Sequence, residues 1–325
     1  MESTTMSVAT FNVLAPCYRR LDELSTKVPA AEESRVVQGN FGRRPRPRES
    51  QFRDLWSARC SEMCAFVKAD IFDVVCLQEF WFDEDYVAKF SDCFAKDYEL
   101  FSAQRTGGKA DGLVTMLRRG KFNVEHMQKL EFKDAGNRVA LLLCARLADM
   151  GSLLIIVNTH LTFPHHEHDR ILRQSQISKL VDFIDGFVDR HGLENVPVII
   201  GGDMNGDHAD PVCAHLRANC FVNSFVQVTG LEDVETHLNH RNERVFVDHI
   251  WYRKHIYGSP ISGRLETDSS GSDDELRDTH LVPRDFIVKP QSEDLQPWVD
   301  DFQLSDHRLV SITFEVEAEL PRDQS

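Results

Sequence analysis

The chain has 325 residues, with 37 Lys and Arg against 52 Asp and Glu, a formal net charge of −15, and 42% hydrophobic residues. That composition excludes a wholly disordered chain, a collagen and a coiled coil, and no apolar run approaches the roughly 18 residues of a membrane span. The negative sum argues against tight non-specific binding of long duplexes, which needs clustered Lys and Arg.

Taken in chain order, residues 7–14 (SVATFNVL) are a short apolar run ending at Ala15-Pro16, and they predict a strand. Nothing before it resembles a secretory signal. Residues 29–50, with Pro29, Pro45 and Pro47, predict a loop. It is basic through Arg43, Arg44, Arg46 and Arg48, either a solvated loop or a contact for phosphate. Spacings of three and four predict a helix over 51–69, followed by a buried strand at 73–78 (DVVCLQ) and a helix over 83–96. Strands are expected at 112–117, 121–132, 138–147 and 152–159. A helix follows at 168–190, a strand at 196–200, a helix near 210–219, and strands at 244–252 and 308–316.

Between the last two strands, residues 266–301 carry 11 Asp and Glu against 3 Lys and Arg and read as a flexible acidic insertion. The eight cysteines, several inside apolar runs, read as free thiols in a reducing, cytoplasmic compartment, with the nucleus as the alternative. The whole chain, 1–325, reads as one α/β domain with sheets packed together and helices outside.

Polar residues recur at strand ends: Asn12, Glu79, His160, Asp203 with Asn205, Asp248, and Asp306-His307. Each alone is as well explained by a turn, a cap or a structural histidine. Together they describe one site gathered from many strands. Converging carboxylates repel one another unless a cation offsets them, and an oxygen-rich set suits magnesium or manganese. With histidine and asparagine donors alongside, the chemistry expected is phosphoryl transfer to water.

In order and context, FNVLAP, LQE, NTHL, GGDMNG, VDHIW and SDHRL resemble the endonuclease/exonuclease/phosphatase superfamily over Asn12 to His307. The resemblance implies a four-layer α/β sandwich of two packed mixed β-sheets flanked by helices. It implies that Glu79 is the principal magnesium ligand, with Asn12 beside it and Asp306 completing the metal side. Asp203 would orient or deprotonate water. Asn205 and His160 would contact the scissile phosphate, with Asn12 also on the substrate side, and Asp248 would orient His307. Arg173 and Gln176 resemble an R-x-x-Q element that supports the site, and Arg173 is counted among the substrate-binding residues.

Val247-Asp248-His249-Ile250 stands where inositol polyphosphate 5-phosphatases carry Trp-Cys-Asp-Arg, which argues against that branch. FNVLAP and THL lean toward the deadenylase and nocturnin branch, or toward neutral sphingomyelinases. Membrane-bound sphingomyelinases would bring apolar segments, absent here. FNVLAPCYRRL, KADGLVTML, NTHLTFPH and LSDHRLV are also similar to a plant and protist group of calcium-binding members, which place EF-hands between the last two strands. Residues 268–279 do not make an EF-hand loop, since Asp273 stands where Gly is needed and Thr279 where Glu is needed.

The expected function is magnesium-dependent hydrolysis of RNA, at a 3′ end, by direct attack of water. The alternatives are hydrolysis of small phosphorylated metabolites or lipid headgroups, and a silent binding module. No obligate protein partner is expected. His165, His166 and His168 read as solvated, and Cys17 as a packed thiol.

Overall fold

The structure is a computed structural model that describes residues 2–21, 46–253, 279–290 and 302–318. In chain order the elements are β1 (Glu2–Asn12), α1 (Arg53–Lys68), β2 (Val74–Trp81), α2 (Glu84–Phe94), β3 (Tyr98–Gln104), β4 (Asp111–Arg118), β5 (Phe122–Glu131) and β6 (Val139–Leu147). The chain continues through β7 (Leu153–His160), α3 (Glu167–His191), β8 (Val198–Asp203), α4 (Pro211–Ala218), β9 (Val222–Asn223) and α5 (Ser224–Thr229). The last strands are β10 (His237–Leu238), β11 (Arg244–Val245), β12 (Asp248–Arg253), β13 (Thr279–Lys289) and β14 (Leu309–Ala318).

The strands form two six-stranded sheets, β13-β14-β1-β2-β4-β3 and β5-β6-β7-β8-β12-β9, with β10 and β11 paired apart from them. Both sheets are mixed. Each holds one parallel pair at its centre, β1 with β2 and β7 with β8, among antiparallel neighbours. The apolar runs are continuous because both faces of each sheet are covered. In β6, Leu141, Leu143 and Ala145 face the core between the sheets, while Ala140, Leu142 and Cys144 face α3 and α4. Ala9, Val75 and Leu77 of the first sheet face α1 and α2. The order of layers is therefore helices, sheet, sheet, helices, the four-layer α/β sandwich.

Local chemistry sets the boundaries. Asp83 caps α2 by accepting from the Asp85 and Tyr86 amides, and α3 ends at Gly192 in the left-handed conformation, φ 64°. Several features differ from the pattern in the sequence. The run at 244–252 divides into β11 and β12, with Phe246 and Val247 between them. Residues 279–289, expected within a flexible insertion, form β13 along the edge of β14, with a register shift between Pro283 and Asp285. An edge position accommodates a proline that a central strand would reject. β3 is also an edge strand, with mixed burial and little apolar signal. The rest of the expected insertion, and residues 29–45 of the basic loop, lie outside the described residues. No helix among the described residues is long and apolar enough to cross a membrane.

Candidate active site

The two parallel pairs end at the same place. Asn12 closes β1 opposite Gln78 of β2, and His160 closes β7 opposite Asp203 of β8. In an α/β sandwich the carboxyl ends of parallel strands are where ligands bind. A polar brace lies beneath. Gln78 Nε2 donates to Asn158 Oδ1 at 2.9 Å, and Asn158 Nδ2 donates to the carbonyls of Leu77 and Val114 at 3.1 and 3.0 Å. These buried bonds tie one sheet to the other directly under the site.

On the first sheet, the strand irregularity between Leu77 and Phe80 turns Glu79 out of the ladder, with φ at 54°. A non-glycine residue held in the left-handed region stores strain, which the surrounding structure must override. Asn205, φ 51°, is held the same way after β8. Gly202 lets β7 and β8 approach, since a Cβ there would collide with the Thr159 carbonyl.

Asp203 is the hub. Its Oδ2 accepts from Asn12 Nδ2 at 3.0 Å and faces His160 Nε2 at 3.3 Å and His307 Nε2 at 3.8 Å. Its Oδ1 accepts from the Asn205 amide at 2.9 Å. Asn12 Nδ2 also reaches Glu79 Oε1 at 3.3 Å, and the Ala15 amide reaches Glu79 Oε2 at 3.4 Å. Asp248 begins β12 opposite Asp203, and its Oδ2 accepts from His307 Nδ1 at 2.8 Å. Ser305 anchors the final segment, donating to the Asn12 carbonyl at 2.7 Å and accepting from the His307 amide at 3.1 Å. Buried Arg59 pairs with Glu49 and donates to the carbonyls of Val13, Leu14 and Leu304, fixing both loops that carry the site.

The electrostatics follow from this packing. Burial pushes the Glu79 carboxyl up to about 7, and the charges of Asp306 and Asp111 push the same way. Asp203 is raised by burial, against the pull of His307. Burial would lower His307, but Asp248, Asp203 and Asp306 override it and raise it to about 10. His160 is held well below the ordinary 6.5, by burial first and then by the charges of Arg138 and Arg105. Asp306 sits at about 2; partial burial opposes this, but His237 and His307 outweigh it.

A divalent cation fits this donor set. Glu79, raised by burial first and then by like-charged neighbours, is a carboxylate that a cation would relieve. Asp248 Oδ1 and Asp306 Oδ1 are buried with no hydrogen-bond partner among the described residues. Asp203, Asp248 and His307 also present donor atoms within 4.8 Å of one another.

Of the residues singled out in the sequence, Asn12, Glu79, His160, Asp203, Asn205, Asp248, Asp306 and His307 come together. Arg173 does not join them. It is 2% exposed, ion-paired to Asp210 at 2.5 Å and bonded to the Thr162 carbonyl, so it braces the loop between β8 and α4. Gln176 bonds Thr162 and Asp134 in the same support. His165 and His166 are exposed, and His168 lies in the first turn of α3. The Cys17 thiol is pushed up to about 12, by burial first and then by Asp111 and Glu79, which makes it a poor nucleophile. All eight cysteines are free.

Comparison with known proteins places this arrangement. The profile of the Endonuclease/Exonuclease/phosphatase family matches residues 9–307. The chain belongs to the endonuclease/exonuclease/phosphatase family. Members of this family are divalent-metal-dependent phosphoric ester hydrolases. An uncharacterized calcium-binding protein of Arabidopsis thaliana is 31% identical over 267 residues, covering 77% of this chain and 51% of the relative. Protein angel homolog 2 of Danio rerio is 23% identical, covering 68% of this chain and 39% of the relative. The chain thus spans about half or less of the length of these relatives. Among solved structures, the human Nocturnin catalytic domain with bound sulfate aligns with a TM-score of 0.64 at 15% identity, covering 98% of this chain and 97% of that one. D. rerio TDP2 complexed with a single-strand DNA product aligns with a TM-score of 0.60 at 17% identity, covering 96% and 99%.

Two residues beside the family cluster were not singled out in the sequence. Arg138, at the N-terminal end of β6, donates from Nη1 to His160 Nδ1 at 2.8 Å. Because β6 runs antiparallel to β7, its start lies beside the end of β7. The signal existed, a polar residue at the edge of an apolar run, but at the opposite end of the strand from the others. His237 stacks on His307 with ring centroids 3.9 Å apart and 7° between planes. It lies on a two-residue strand that has no periodicity to read.

Proposed function

We propose that this chain is a magnesium-dependent hydrolase of phosphodiesters in RNA, acting at a 3′ end by direct attack of water on phosphorus. The observation that carries this reading is the convergence of Asn12, His160 and His307 on one oxygen of Asp203, with Glu79 on the far side of Asn12. Magnesium held by Glu79, with Asn12 and Asp306 alongside, would offset the charge that builds on the leaving oxygen.

The chain's own residues supply the rest. Asp203 is held by two donors on its two oxygens, so it can orient water and accept its proton. His160 receives the Arg138 bond on Nδ1, so its proton sits on Nε2, aimed into the cluster. His307 donates a hydrogen bond from Nδ1–H to Asp248 and turns a charged Nε2–H toward the same place. Asn205, fixed through the Leu161 carbonyl at 2.9 Å, stands beside them. Such donors, already oriented, favour the charge that develops on phosphoryl oxygens in the transition state. The bound sulfate in one solved relative and the single-strand DNA product in another support a phosphate-centred site. The motifs FNVLAP and NTHL support RNA as the polymer.

A substrate panel tests the proposal. Oligo(A), abasic duplex, dinucleotide phosphates and sphingomyelin are each incubated with magnesium and with EDTA. Shortening of oligo(A) from its 3′ end, abolished by EDTA, is the expected outcome. Preference for a dinucleotide phosphate or sphingomyelin would overturn the RNA assignment, and no hydrolysis of any would leave a binding module.

A further inference from the structure

The rim of the cleft carries aromatic rings that the chemistry above does not use. Phe163 follows His160 by three residues, on the loop that leaves β7, and His165 lies two residues further on. The turn between β10 and β11 brings His240 to the same place. The Phe163 ring centroid lies 4.7 Å from that of His165 and 5.5 Å from that of His240, and the two imidazoles are 6.1 Å apart. The three planes are tilted against one another by 53°, 52° and 40°, so no pair lies face to face.

Three features make this trio a binding surface. It is continuous with the phosphate cluster, because Phe163 meets the ring of His237 edge-on at 6.4 Å, and His237 stacks on His307. It is left open: Phe163 belongs to none of the three apolar cores and is half-buried, and His165 and His240 are exposed. Its loops are held by their own backbones. The His165 amide donates to the Phe163 carbonyl at 3.0 Å, and in the β10–β11 turn the Asn239 amide donates to the Glu243 carbonyl at 2.9 Å. Rings fixed before a ligand arrives spare the cost of ordering them. A ligand that sets a phosphate against His307 and a flat ring against Phe163 is a nucleotide. A cationic headgroup would call for indole, phenol or phenyl faces, and two of these three rings are imidazoles.

We propose that Phe163, His165 and His240 form a stacking shelf for the base of the nucleotide adjoining the scissile phosphate. The shelf selects single strands, whose bases are free to leave their neighbours, and it accepts every base, since each has a flat face. Phe163 supplies the apolar face and the two imidazoles flank it. The proposal deepens the RNA reading above and rests on it for the identity of the polymer.

Binding in EDTA, read by fluorescence anisotropy, tests the shelf apart from turnover. One probe is oligo(A), and the other is the same oligomer with the bases of its last two 3′ residues removed, so length and charge are equal. Wild type should bind oligo(A) roughly tenfold tighter, the effect of one stacked base. Phe163→Leu keeps apolar bulk and loses the ring face. It should lose the preference while its affinity for the abasic probe stays, and Phe163→Tyr should keep the preference. Should Phe163→Leu fail to fold, His165→Ala combined with His240→Ala changes only exposed rings and should reduce the preference. Equal affinity of wild type for the two probes, or a preference untouched by these variants, would overturn the shelf. Turnover with magnesium separates it from the RNA reading. Shortening of both probes at one rate would overturn the shelf and leave that reading standing. Base-dependent binding without hydrolysis would keep the shelf and overturn the reading, and binding of neither probe would overturn both.

Discussion

His160 and His307 both turn an Nε2 toward Asp203 Oδ2, at 3.3 and 3.8 Å, yet their Nδ1 atoms face opposite charges. Nδ1 of His160 accepts from the Arg138 guanidinium, and Nδ1 of His307 donates to the Asp248 carboxylate. One ring is held neutral and the other charged, although both are buried in the same cleft. What a histidine does at a phosphate thus depends on the group behind it. That group comes from the neighbouring antiparallel strand β6 for His160 on β7, and from β12 in the other sheet for His307, which lies just before β14.

The comparison can be broken most severely at Asp248. Asp248→Asn removes the charge that sustains the His307 imidazolium and admits the wrong tautomer. By analogy with triad histidines, kcat should fall roughly 10³-fold or more, with KM little changed. A loss confined to KM would show that Asp248 does not act through His307. The opposite histidine gives a smaller effect. Arg138→Met leaves the His160 ring in place and removes the donor on Nδ1, and the loss should be about 10–100-fold, the usual cost of a supporting partner. Imidazole nitrogen NMR should then find the His160 proton shared between both nitrogens. A proton still fixed on Nε2 would assign the tautomer to something other than Arg138.

His249 supplies a reference with no ion pair on either ring nitrogen. Asn223 Nδ2 donates to its Nδ1 at 3.1 Å, and its Nε2 donates to the Gly206 carbonyl at 3.0 Å. Burial, the largest influence, lowers it to about 4 from 6.5. Between those values the unfolded chain binds the proton and the folded one does not, so stability falls as pH drops from 6.5 toward 4. The loss attributable to this group is at most about 3 kcal/mol. Urea unfolding across that window should show the slope in wild type and a reduced slope in His249→Gln. An unchanged slope would place the acid sensitivity elsewhere.

Much of this was legible in the sequence because the central strands are covered on both faces. β2, β6, β7 and β8 each hold a long apolar run, and the polar residues that follow that run in β2, β7 and β8 mark the cleft. Edge strands gave less signal. β3 alternates only weakly, and β13 carries Pro283 and charged residues in a stretch whose composition resembles a solvated insertion. Arg138 and His237 escaped because their roles arise from pairing across strands and from ring stacking, which spacing along the chain does not encode. Arg173 shows the converse limit, since helical spacing gives a face but not the partner, here Asp210.

The most direct measurement is magnesium-dependent turnover by Glu79→Gln on the substrate that the panel identifies. The amide keeps the shape and removes the charge that would hold the ion. Loss of that charge should lower kcat by at least about 10³-fold, the several kcal/mol that metal stabilisation of the transition state supplies, and the residual rate should no longer respond to magnesium or EDTA. Wild-type turnover with an unaltered magnesium requirement would contradict the account at its centre.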